Sequence, residues 1–94
     1  MKLIEIQEMA EKIANDLVGE NFEPAHNSIP YWRFTELIES YLDYYEKFES
    51  TEEDILLIRK YLIKNFCKLV NDNTQYKAEI ELAGNETFVN IIKK

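Results

Sequence analysis

The sequence predicts an α+β fold in which three helices, the third of them central, pack with a C-terminal β-hairpin. Three observations carry that expectation. Apolar residues recur at three- and four-residue steps across residues 2–18 and 30–48. Residues 55–70 are apolar nearly all round, as in a helix enclosed by its neighbours. After a polar break, residues 76–82 alternate strictly between apolar and charged side chains, the mark of a half-buried strand. The alternative is an all-α bundle, because Lys77-Ala78-Glu79-Ile80-Glu81-Leu82-Ala83 consists mostly of good helix formers. Pattern takes precedence over propensity where the two conflict, so the hairpin is preferred.

In the first helix, Leu3, Ile6, Met9, Ala10, Ile13, Ala14, Leu17 and Val18 recur on one face. Glu5, Glu8, Lys12 and Asp16 fall on the other side, and Gly19 is the expected stop. Residues 20–30 form a loop that holds Pro24, Pro30 and the polar run His26-Asn27-Ser28. Ser28 is the expected cap of the second helix, with Pro30 in its first turn. That helix is expected from about Pro30 to Phe48. Phe34, Ile38, Tyr41, Tyr45 and Phe48 define its core face, flanked by Leu37 and Leu42. Glu36, Glu39, Asp43 and Glu46 take the opposite face, and Tyr44 at the border turns its hydroxyl to solvent.

Ser50-Thr51-Glu52-Glu53 matches the capping-box pattern, with Ser50 as the cap. Glu52, Glu53 and Asp54 then occupy the first turn of the third helix, where the helix dipole favours negative charge. This helix is expected to reach about Val70, and its polar residues make a narrow stripe of Lys60, Lys64 and Lys68. Asn71-Asp72-Asn73-Thr74 is the break. Tyr76, Ala78, Ile80 and Leu82 form the buried side of the first hairpin strand. Ala83-Gly84-Asn85-Glu86 turns the chain, and residues 87–92 return.

Ninety-four residues form one domain, 1–94, with a modest core. The net charge is −7, yet 46% of residues are apolar and only two Gly and two Pro are present, a composition that folds. Charge is unevenly placed: residues 1–54 hold 14 acids against four bases, whereas residues 51–94 hold seven of each. The acidic part also carries Tyr31, Trp32, Phe34, Tyr41, Tyr44, Tyr45 and Phe48. Acid mixed with tyrosine suits a basic protein surface and repels nucleic acid. No run of about 18 apolar residues is available to span a membrane. No signal-peptide pattern is visible, and the acidic surface is repelled by anionic lipid. The single Cys67 permits no internal disulfide and suits a reducing, cytoplasmic compartment.

Chemistry-bearing motifs are sparse, so no enzyme, cofactor or metal is expected. A Cys–His nucleophilic pair would need Cys67 beside the only histidine, His26, with a third group orienting it. Cys67 sits in the apolar helix, where cysteine is usually a small hydrophobe. One Cys and one His are too few for a zinc site. Glu52-Glu53-Asp54 lacks the central glycine of a calcium loop. Two glycines cannot make a phosphate loop.

What remains is the acidic, tyrosine-bearing helix. The residues its core face leaves free are Glu36, Glu39, Asp43, Tyr44 and Glu46, the candidate partner-binding set. The expected function is that of a small acidic inhibitor, of the toxin-immunity or phage anti-defence type. It would block a basic surface on a protein target such as a nuclease. The run Asp43-Tyr44-Tyr45 is similar to the acid-plus-paired-tyrosine surface of the colicin nuclease immunity proteins, a likeness of three residues from which no role is carried over. Two rival readings have their own signals. A structural or accessory subunit would form a homodimer through leftover apolar surface. A winged-helix DNA-binding regulator would use residues 55–70 as the reading helix and the hairpin as the wing. The net charge and the apolar character of that helix count against DNA.

Overall fold

A computed structural model describes residues 1–94 and gives the order α1 (Leu3–Leu17), β1 (Ser28–Pro30), α2 (Tyr31–Tyr44), α3 (Glu52–Asn73), β2 (Tyr76–Ala83) and β3 (Glu86–Lys93). The fold is α+β: three helices with a three-stranded antiparallel sheet in the order β1-β3-β2. No helix is long and apolar enough to cross a membrane.

The core follows the apolar periods. α1 buries Ile6, Ala10, Ile13 and Ala14; α2 buries Phe34, Ile38 and Leu42. α3 contributes Ile58, Leu62, Ile63, Phe66 and Val70, and the sheet adds Ala78, Val89 and Ile91, all in one cluster. Phe66 lies at the meeting point. Phe34 and Phe22 approach its ring edge-on, at centroid distances of 5.6 and 6.1 Å. α3 is thus central, as expected, although Leu56 and Leu57 in its first turns remain exposed.

The hairpin forms with Ala83 opposite Glu86 and a two-residue loop, Gly84-Asn85. Gly84 has φ 65° and Asn85 has negative φ, the signature of a type II′ turn with glycine first. The sheet face that carries Ala78, Val89 and Ile91 packs on the helices. Ile80 and Leu82 share that face but are left uncovered by the helices, and they are 59% and 76% exposed.

Four local expectations are corrected. Ser28 caps nothing: Ser28–Pro30 is a short strand that pairs with Phe88–Asn90, and Pro30 itself is the N-cap of α2. Ser50 is not the cap of α3. Thr51 is, accepting from the Asp54 N–H at 3.2 Å, while the Asp54 carboxylate accepts from the Thr51 N–H at 3.0 Å. α3 runs one turn past Val70, to Asn73.

The end of α2 is the fourth. α2 stops at Tyr44, not Phe48, because Glu46 adopts a left-handed φ of 56°. The Lys47 N–H then donates to the Leu42 carbonyl at 2.8 Å and the Glu46 N–H to the Asp43 carbonyl at 3.1 Å. That pair of bonds is a Schellman motif, built here without glycine. Consequently Phe48 leaves the core face and is 76% exposed, and Tyr45 is 39% exposed.

Candidate functional site

The outward face of α2 is set by helical spacing. Trp32, Glu36, Glu39 and Asp43 recur at four-, three- and four-residue steps, opposite Phe34, Ile38 and Leu42, and all four are exposed. Tyr44 follows at the end of the helix, 80% exposed. Glu46 does not continue this face; it stands in the left-handed turn that ends the helix. The structure therefore places Glu36, Glu39, Asp43 and Tyr44 on one helix and Glu46 just beyond it. Trp32 and Phe48 are exposed aromatics that the sequence reading left out of the site. Trp32 was legible, because it stands four residues before Glu36. Phe48 was not, because nothing in the sequence marks the left-handed residue before it.

A tyrosine ladder ties this end of α2 to α1. The ring of Tyr44 meets Tyr45 edge-on at 5.0 Å, and Tyr45 lies 6.4 Å from Tyr41. The Tyr41 hydroxyl donates to Asp16 Oδ2 at 2.8 Å. Burial, the hydrogen bond to the Asp16 carboxylate and its negative charge push the Tyr41 phenol up to about 12. Lys12 pairs with the same Asp16 at 3.6 Å, and that charge raises its ammonium above the usual lysine value. Lys47, in the turn, reaches Glu5 of α1 at 3.8 Å. The ladder gives Tyr44 one ring contact while leaving most of its side chain exposed.

Of the acids on this face and in the turn after it, Glu36 pairs with Arg33 at 3.4 Å. Glu39, Asp43 and Glu46 enter none of the five ion pairs of the molecule. The helix can therefore offer uncommitted carboxylates on its outward face and an exposed phenol at its end, which suits recognition of cations and demands no bond chemistry.

Two grooves adjoin the helices. The larger, about 640 Å³, is lined by Phe22, His26, Arg33, Phe34 and Leu37, and by Trp32 of the α2 face. The other, about 430 Å³, runs between α3 and β2 and is lined by Leu56, Lys60, Lys64, Cys67 and Ile80. His26 and Cys67 thus belong to different grooves, and burial pushes the Cys67 thiol above its usual value, away from thiolate. No three potential metal-ligating side chains of the His, Cys, Asp or Glu type converge.

Comparison with protein-family models, with curated proteins and with solved structures finds no match to this chain.

Proposed function

We propose that the protein is a small acidic binding protein that occupies a basic surface of a protein target through the outward face of α2. In this reading it acts as an inhibitor, of the toxin-immunity or phage anti-defence type, and the target's basic surface is an active site such as that of a nuclease. The observation that carries the reading is Tyr44, 80% exposed and meeting the Tyr45 ring edge-on, at the end of the helix whose outer face carries the unpaired Glu39 and Asp43. An exposed tyrosine at the end of a helix face with free carboxylates is an anchor of the kind that dominates binding energy. The remaining acids of residues 1–54 would steer a cationic target toward it.

The test is differential capture from the source cell. Immobilised parent protein should retain a basic protein that Asp43→Lys and Tyr44→Ala, with melting curves like the parent's, both release. Equal retention by both variants would remove α2 from the reading.

A second reading, a winged-helix regulator, is favoured by the element order. A helix, a short strand, two helices and a two-stranded wing, with the short strand paired to the returning strand, is winged-helix connectivity. Connectivity alone does not carry function. Glu79, Glu81 and Glu86 on the outer side of the hairpin disfavour a phosphate backbone at the wing, whereas the exposed Lys60, Lys64 and Lys68 of α3 do not.

A further inference from the structure

The sheet order leaves β2 with one open edge. Along an antiparallel strand, backbone groups alternate between the paired side and the free side. Ala78 fixes the phase. Its N–H donates to Asn71 Oδ1 at 2.7 Å and its carbonyl accepts from Asn71 Nδ2 at 3.4 Å, so at this residue the backbone faces away from β3. Its partner across the ladder agrees: the Ile91 N–H donates to the Asn27 carbonyl, on the β1 side, at 2.7 Å. The two-residue period then turns the N–H and C=O groups of Ile80 and Leu82 to the same open edge. Asn71 completes the ladder at Ala78 much as a neighbouring peptide would. At Ile80 and Leu82 the edge is free.

The surroundings of that edge have a definite chemistry. Lys60 and Lys64 stand one turn apart on α3 and line the groove with Leu56 and Ile80. Arg59, Lys60, Lys64 and Lys68 take part in none of the five ion pairs, although the chain holds 18 acids. Uncovered apolar side chains, free strand hydrogen-bonding groups and unpaired cations therefore lie together.

We propose that the open edge of β2 at Ile80 and Leu82, with Lys60 and Lys64 beside it on α3, is a docking strip for an extended acidic segment of a partner protein, which adds as a fourth strand. Main-chain hydrogen bonds to Ile80 and Leu82 supply the pairing, and carboxylates of the segment meet the two lysines. Side chains of the added strand alternate like those of β2, so its carboxylates take the helix side with Lys60 and Lys64, and its apolar side chains take the outer side, where Glu79 and Glu81 would repel acid. A second copy of this chain fits less well, because antiparallel pairing of two β2 edges sets each copy's Lys60 and Lys64 toward those of the other. The strip is opposite in charge to the α2 face and does not depend on the reading of that face.

The test is an NMR titration of the full chain with a short peptide in which glutamate alternates with valine. The expected result is a shift, and slowed exchange, at the amides of Ile80 and Leu82. The double variant Lys60→Glu/Lys64→Glu should weaken binding about tenfold or more, with a loss that shrinks as salt rises. The same peptide N-methylated at alternate backbone nitrogens should not bind, which separates strand pairing from simple charge attraction without altering the protein. Binding of a valine–lysine peptide as tight as that of the glutamate peptide would overturn the proposal. So would full binding by the N-methylated peptide, shifts confined to other elements, or no binding at all. A concentration-dependent dimer through β2 without peptide would assign the edge to a second copy. Duplex DNA binding lost in the lysine double variant, with no peptide binding, would assign the stripe to nucleic acid.

Discussion

Glu46 holds a backbone conformation that favours glycine, and it does so at the one place where α2 must stop. A side chain at left-handed φ costs about 1 kcal/mol. Glu46→Gly should therefore raise stability by up to about 1 kcal/mol, read as a higher denaturant midpoint with unchanged slope. No shift would mean that the turn is not left-handed in solution. Tyr41 makes a pH-dependent contribution. Its phenol is raised from 10.0 to about 12, so the folded state favours the protonated form. That stability is fully present below the unfolded value near 10 and is lost as pH rises through the folded value near 12. In Tyr41→Phe the alkaline loss over that window should flatten, which thermal melting in buffers across it would register. Asp54 works in the opposite sense. The Thr51 N–H at 3.0 Å, helped by the N-terminal ammonium at 3.3 Å, holds its carboxyl below the usual range. Its contribution is present above the ordinary carboxylate range and disappears as pH falls through the lowered folded value.

Among the elements, α3 organises the others, because its side chains meet α1, α2 and the sheet. Leu62 is fully enclosed and Phe66 receives two edge-on rings, so Leu62→Ala and Phe66→Ala should each cost roughly 2–5 kcal/mol. Melting temperatures near the parent's for both would contradict a central α3. Thr51→Ala removes the side-chain cap and should cost about 1 kcal/mol. Elements with a sustained period were legible from sequence: α1, α3 and both hairpin strands lie within a few residues of expectation. β1 was not, because three residues, Ser28, Ile29 and Pro30, show no period, and only Phe88–Asn90 across the ladder makes them a strand. The end of α2 was hidden too. Apolar spacing continued through Tyr45 to Phe48, and the turn that overrides it carries glutamate where glycine is the usual signal.

Across the whole molecule the charge is divided. Residues 1–54 carry the acidic surplus, whereas residues 55–94 hold seven bases against Asp72, Glu79, Glu81 and Glu86. That division was fully legible in the sequence, as were the acids of α2. The exposure of Tyr44 was legible from its place at the border of the apolar face, whereas that of Tyr45 and Phe48 was not, since both continue the spacing of Phe34, Ile38 and Tyr41 and leave the core only through the turn at Glu46. Repulsion of phosphate by the acidic part should prevent duplex DNA binding at physiological salt. A gel shift with tight, salt-sensitive binding to any duplex would instead favour the winged-helix reading. The most direct test of the central claim, that the α2 face grips a basic partner, is association and dissociation kinetics against the captured target, for the parent, Asp43→Lys and Tyr44→Ala, over a range of salt. Asp43→Lys should slow association by about tenfold at low salt, with a difference that shrinks as salt rises. Tyr44→Ala should act mainly on dissociation, by about 2 kcal/mol or roughly thirtyfold. Unchanged kinetics in both variants, each still folded, would mean that the acidic helix is a solvated surface and that the partner binds elsewhere.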